Sequence, residues 1–251
     1  MSAWPLSRRT LGTLAVWSLL LVAADDPPAP VEETEATFVS HRKKVAVERF
    51  EPNTPGPHPA ILVLHGVNGI DDHPRTMLRE RARELARAGY VALIPHYFER
   101  TGANLKNANR NRQYFQVWME TIRDAVTYAA AQPAVDRRRI GLLGYSLGAH
   151  VAVSESAFDS RIGAVVEYAG GLLPDLVDRF ERTPPILILH GDADRSVPVA
   201  EARKLAALLE SRQLPYEISI YKGAGHSLSG DDRTDAWQKT LAFFQAHLDA
   251  R

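Results

Sequence analysis

Residues 144–148 read Gly144-Tyr145-Ser146-Leu147-Gly148, a Gly-x-Ser-x-Gly spacing. That spacing suits a serine on a tight turn between a strand and a helix, because glycines two residues away remove side chains that would collide across the turn. Such a turn exposes the hydroxyl and aims the N-terminus of the next helix at the reacting centre. The chemistry expected is nucleophilic attack by Ser146, with the backbone N–H of Leu147 donating to an oxyanion. The alternative is an ordinary turn with a buried serine. The apolar run at residues 140–143 and the Ala-rich segment after Gly148 favour the nucleophile.

A serine hydroxyl needs a base to take its proton, and the base needs a group to orient it. Two later segments supply them, acid first and histidine last. His190-Gly191-Asp192-Ala193-Asp194-Arg195-Ser196-Val197-Pro198 closes one apolar run, and Gly223-Ala224-Gly225-His226-Ser227 follows the next. His226 has small neighbours that leave its ring free to turn, so it is the expected base. Asp192 and Asp194 compete as orienter. Asp194 lies deeper in its loop and is preferred, and Asp192 is expected to cap a turn. His65 and His190 end apolar runs and are expected to pack or hydrogen-bond there. His150 falls in the helix after the serine, and His96 is a candidate pocket residue.

A second oxyanion donor is expected from His65-Gly66-Val67-Asn68-Gly69, where glycines let the backbone approach a ligand. The N–H of Val67 is assigned, with Asn68 in reserve. A plain turn is the alternative. Tyr97, Phe98 and Arg100 follow the apolar run ending at Pro95, and Tyr145 adjoins the nucleophile. These four are the expected substrate-binding residues, core packing being the alternative for each.

These side chains must be held by alternating strands and helices. The continuous apolar run at 60–64 suits a strand covered on both faces, and strands are also read at 90–94, 140–143, 164–168, 186–190 and 216–221. Between them, helical periodicity recurs at 79–88, 114–131, 200–210 and 235–248. The alternation implies a mainly parallel, doubly wound α/β sheet with helices on both faces. Residues 37–50 suggest an antiparallel hairpin at its edge. The candidate loops then all leave the carboxyl ends of parallel strands. Residues 101–112 are polar and Asn-rich and are read as a loop.

The chain has 251 residues, 45% hydrophobic and 24% charged, with 30 acidic and 30 basic residues. That balance points away from nucleic acid as a partner. There is no cysteine, which excludes disulfides, thiolate metal sites and a cysteine nucleophile. Arg8 and Arg9 precede an uncharged, largely apolar run at 11–24, which is short for a membrane span and suits an export signal cleaved after Ala24. The paired arginines suit a twin-arginine signal. An ordinary signal or an uncleaved anchor is the alternative. The expected organisation is a signal at 1–24, a linker at 25–36 and one catalytic domain at 37–251. The mature protein is expected outside the cytoplasm, periplasmic or secreted, with no stable membrane anchor.

The segments 65–69, 89–95 and 144–148, with the Asp194 loop and Gly225-His226-Ser227, together resemble the dienelactone hydrolase family. The resemblance runs from about Ala60 to the C-terminus. It implies an α/β-hydrolase fold and hydrolysis of a small carboxylic ester or lactone without metal or cofactor. Arg100 matches a family arginine that meets the substrate carboxylate. The founding members carry a cysteine where Ser146 stands, and a glutamate after the first core strand that is missing here. A second family arginine, four residues after the histidine, is replaced by Gly230. These departures favour a broader esterase. Two rival functions are a peptidase or amidase with the same triad, which would need an extra substrate-anchoring domain, and a binding protein on a hydrolase scaffold, which would not need all three triad residues.

Overall fold

The computed structural model describes residues 30–70, 74–103 and 111–249. The expected signal and residues 25–29 of the expected linker lie outside them. Eight strands form one sheet: β1 (Val31–Ser40), β2 (Lys43–Pro52), β3 (His58–Leu64), β4 (Val91–Pro95), β5 (Val135–Tyr145), β6 (Ile162–Tyr168), β7 (Ile186–Gly191) and β8 (Tyr216–Tyr221). Their order is β1-β2-β4-β3-β5-β6-β7-β8. β1 with β2 and β2 with β4 pair antiparallel, and all later pairs are parallel. This is the doubly wound sheet with an N-terminal edge hairpin that the alternation of elements implies.

Helices cover both faces. α2 (Asn111–Ala130), α3 (Leu147–Ser156) and α4 (Ala200–Ser211) bury one apolar layer with Leu62, Leu93, Ile140, Val165 and Ile188. α1 (Pro74–Arg87) and α5 (Gly230–Phe244) bury the other with Ile61, Val63, Leu143, Val166 and Leu189. Residues of one strand alternate between the two layers, because successive side chains point to opposite faces. β3, β4, β6 and β7 are buried nearly throughout, which explains their largely apolar composition.

Several boundaries differ from expectation: β5 begins at Val135, α1 at Pro74 and α5 at Gly230, each about five residues early, and two more fall in segments read as linker or loop. β1 begins at Val31, so residues 31–36 belong to the sheet and not to a linker. Their acidic character misleads because β1 is an edge strand: Glu32, Glu33 and Glu35 stay exposed while the backbone pairs with β2 over ten residues. Arg83 of α1 then binds the Glu33 carboxylate through two nitrogens, at 2.7 and 2.8 Å. α2 begins at Asn111, so Asn111 and Arg112 open a helix instead of ending a loop; polar residues are at home in a first turn. Residues 104–110 of that expected loop lie outside the described residues.

Trp118 of α2 anchors the first layer. It is fully buried, stacks on Phe98 at 4.7 Å, and donates from Nε1 to Thr101 Oγ1 at 3.0 Å. Trp118→Ala is expected to cost about 3–5 kcal/mol, as for other buried aromatic truncations. The check is the urea midpoint at unchanged m-value. A loss below about 1 kcal/mol would contradict this packing.

Candidate active site

Ser146 caps the N-terminus of α3 with φ 56° and ψ −118°. A non-glycine residue at such a φ is strained by about 1–3 kcal/mol and persists only where its surroundings hold it. Here its N–H donates to Tyr168 O of β6 at 2.8 Å, and its carbonyl accepts from the N–H groups of Ala149 and His150. The flanking glycines have a packing cause. A methyl group at Gly144 would overlap Gly148 O and the Ala149 backbone, and one at Gly148 would overlap the Leu64 and His65 carbonyls. Gly66 lies just opposite, where an added Cβ would stand 3.3 Å from Ser146 Cβ. The ends of β3 and β5 and the first turn of α3 therefore meet backbone to backbone.

The loops after β7 and β8 are tied to each other in the same way. Asp192 N–H donates to Tyr221 O and Ala193 N–H to Ala224 O, and Gly191 has no room for a side chain beside the Ala224 carbonyl. This closeness brings Asp194 and His226 together. His226 Nδ1 is 2.7 Å from Asp194 Oδ2, and its Nε2 is 3.0 Å from Ser146 Oγ. A carboxylate can only accept, so Nδ1 carries the proton and the Nε2 lone pair faces the serine hydroxyl.

Burial pushes the Asp194 carboxyl up. Hydrogen bonds from His226 and from the N–H groups of Val197 and Ser196 outweigh it, and the net result lies below the usual carboxylate range. Asp194 is therefore ionised at neutral pH beside the His226 ring. Asp192 accepts from Gly223 N–H at 2.6 Å and caps a turn, as expected. His190 also hydrogen-bonds where expected: its Nε2 lies 2.9 Å from Val197 O and 3.3 Å from Asp194 Oδ2.

The expected substrate-binding residues divide. Tyr145 stays at the site: its hydroxyl is 2.8 Å from Ser227 Oγ and donates to His226 O at 3.2 Å, which steadies the histidine loop. Phe98 lines a cavity of about 290 Å³ with His65, Asn68, Gly69 and His96. Tyr97 and Arg100 must be corrected. Tyr97 is fully buried beneath the site, stacks on His65 at 4.1 Å and donates to His65 O at 2.6 Å, so it supports the turn at 65–69. Arg100 is turned to α2 and β1, where it binds Glu120 at 2.7 Å and donates to Ser40 Oγ and Val117 O. The cause is a 3₁₀ helix at Tyr97–Arg100, which spreads these side chains around three directions per turn. Val67 and Leu147, the expected oxyanion donors, stand one residue beyond Gly66 and Ser146. The first N–H groups of α3, including that of Leu147, have no partner within the helix.

A smaller cavity of about 130 Å³ opens beside Tyr145, Gly66 and Ser227, between α1 and α5. Leu78, Leu143, Leu228 and Trp237 line it, with Arg81 and Arg233. Periodicity placed Leu143 in a strand and Trp237 in a helix, but nothing in the sequence joins them. Among the described residues no cluster of His, Cys, Asp or Glu could hold a metal ion.

The sequence matches the dienelactone hydrolase family over residues 45–248. A Bradyrhizobium protein provisionally named 2-oxo-3-(5-oxofuran-2-ylidene)propanoate lactonase is 30% identical, with 78% of this chain and 87% of that protein covered. The crystal structure of a protein provisionally named dienelactone hydrolase, from Klebsiella pneumoniae, superposes with a TM-score of 0.77 at 21% identity, covering 87% of this chain and all of that one. An acylaminoacyl peptidase of Pyrococcus horikoshii shares the fold at a TM-score of 0.71 and 17% identity, covering 87% of this chain but 42% of its own.

The buried turn carries its own pH signature. Burial lowers His65 from 6.5 to about 4, against a hydrogen bond to Gly66 O that raises it. The unfolded chain therefore takes up this proton first as pH falls. Stability held by the neutral ring is complete above pH 6.5 and drains away toward pH 4, by roughly 3 kcal/mol in all. Denaturant titrations of wild type and His65→Asn at pH 7 and pH 4 are expected to show the stability gap shrinking by a few kcal/mol. A gap independent of pH contradicts the assignment.

Proposed function

This chain belongs to the dienelactone hydrolase family, and on that premise we propose that it is a serine hydrolase cleaving carboxylic esters or lactones through an acyl-enzyme on Ser146. One observation carries the reading: Ser146 Oγ, His226 Nε2, His226 Nδ1 and Asp194 Oδ2 form an unbroken chain of 3.0 and 2.7 Å contacts. Support for the substrate class comes from the family and from the lactonase name of the Bradyrhizobium relative.

In the proposed reaction the Oγ lone pair attacks the carbonyl carbon while Nε2 takes the hydroxyl proton. Asp194 stabilises the imidazolium. The N–H groups of Leu147 and Val67 receive the oxyanion at the end of α3. Collapse breaks the bond to the leaving oxygen, to which His226 returns the proton. Water then repeats the sequence and frees the acid. The cavity beside Tyr145 favours esters with a compact apolar group, because its walls are Leu78, Leu143, Leu228 and Trp237.

The peptidase reading has only the shared fold behind it, and the chain spans less than half of that peptidase. Arg8, Arg9 and the run at 11–24 lead us to place the enzyme's action outside the cytoplasm; a mature N-terminus at Asp25 in exported protein checks this.

Wild type is expected to hydrolyse short p-nitrophenyl esters, and not aminoacyl p-nitroanilides. Ser146→Ala is expected to lose about 10³-fold or more in kcat. Full activity in that variant ends the proposal. Trp237→Ala enlarges the apolar cavity, and each further methylene it buries contributes about 0.8 kcal/mol. The kcat/KM ratio of octanoate to butyrate ester is expected to rise about tenfold, and an unmoved ratio removes this cavity from the substrate site.

A further inference from the structure

Two buried polar atoms on the neighbouring strands β6 and β7 have no hydrogen-bond partner among the described residues: Oε1 of Glu167 and Nδ1 of His190. Both side chains are fully buried. Glu167 stands in β6 within the apolar run Ala164-Val165-Val166, where a lone acid needs a reason. Its Oε2 accepts the Gly170 N–H at 2.8 Å. β6 and β7 pair Glu167 with Ile188, so His190 lies two residues farther along the neighbouring strand. Val165 and Ile188 both enter the layer beneath α3 and α4, so by alternation Glu167 and His190 point into that same layer.

Their hydrogen-bonding needs are complementary. Nε2 of His190 donates to Val197 O at 2.9 Å, with Asp194 Oδ2 3.3 Å away, and the Val197 N–H in turn donates to Asp194 Oδ1, so Nδ1 of His190 is left as an acceptor. A fully buried carboxylate answered by one N–H is costly, whereas the neutral acid offers a donor. Burial accordingly raises Glu167 to about 8, against the Gly170 hydrogen bond that lowers it. The other titratable groups on this side are few. His150 of α3 has Nδ1 2.8 Å from Gly171 O, and burial and the nearby His190 lower it. Glu201 of α4 packs against Gly171 and is paired with Lys204 at 2.7 Å.

We propose that Glu167, as a carboxylic acid, donates through one buried water to Nδ1 of His190, and that this second arm holds Asp194 in place for His226. Glu167 and His190 stand on one face of adjacent strands, two residues apart in register, a placement suited to a bridging water between a donor and an acceptor. Glu167 and His190 are positioning residues, acting through Asp194. The inference rests on Asp194 orienting His226. It also assigns a charge state: ionised Glu167 would set a second negative charge beside Gly170 and the first turn of α3, near where the oxyanion forms.

Glu167→Gln reproduces the neutral acid at every pH, with one oxygen for Gly170 and an N–H for the water. In ester hydrolysis that Ser146→Ala abolishes, wild-type kcat is expected to fall as pH rises through about 8. Glu167→Gln is expected to keep neutral-pH kcat within about twofold of wild type and to lose that alkaline fall. Glu167→Leu, lacking the donor, is expected to lose about tenfold in kcat at unchanged KM, the size of one hydrogen bond. Nitrogen-15 NMR of the His190 ring reads the arm without any substrate. Nδ1 is expected to be hydrogen-bonded in wild type and the Gln variant and to shift in the Leu variant. An alkaline limb that survives in Glu167→Gln, or an Nδ1 resonance indifferent to Glu167→Leu, overturns the proposal. Failure of the Ser146→Ala control overturns instead the reading of Ser146 as nucleophile, and leaves the NMR result to decide the arm.

Discussion

A serine forced to φ 56° sets the terms for the surrounding structure. That angle turns the chain abruptly from β5 into α3, and the turn fits only if β3 and the first turn of α3 approach without side chains between them. Gly144 and Gly148 meet that demand by direct contact, and Gly66 by facing the serine. The strain is held by hydrogen bonds from the serine backbone to β6 and into α3. A hydroxyl set at the mouth of a helix N-terminus is the product, and its partners need only reach that point. Gly191 allows the β7 and β8 loops to touch, and the touching loops deliver Asp194 and His226.

The electrostatics around this point follow one pattern. Asp194 is kept ionised by three donors, the His226 ring and two backbone N–H groups, with the His190 ring 3.3 Å from its Oδ2. His65 is kept neutral by burial. Glu167, also buried, keeps its proton at neutral pH. One negative charge thus stands where it can steady an imidazolium, with neutral groups around it that do not compete.

Much of this was legible in the sequence, because strand ends announce themselves. An apolar run followed by glycine marks a loop at the carboxyl edge of a parallel sheet, and Ser146, Asp194 and His226 sit on three such loops. The choice of Asp194 over Asp192 followed from depth in the loop, and the structure gives Asp192 to a turn. Tyr97 and Arg100 misled because the residues after Pro95 form a 3₁₀ helix, whose threefold spacing sends neighbours in different directions. The start of β1 was hidden by its glutamates, since an exposed edge strand needs no apolar signal on its outer side. Glu167 was visible as a lone acid inside an apolar run, but its relation to His190 depends on the register of two strands, which only the assembled sheet reveals.

The central claim is that Ser146 alone is activated as a nucleophile by His226 and Asp194. Its most direct test is intact and peptide mass spectrometry of the folded protein after exposure to an alkyl fluorophosphonate. The account predicts one adduct per chain, on Ser146, formed slowly in His226→Ala and absent from heat-unfolded protein. An adduct on another residue, or a folded wild-type chain that stays unlabelled, contradicts it.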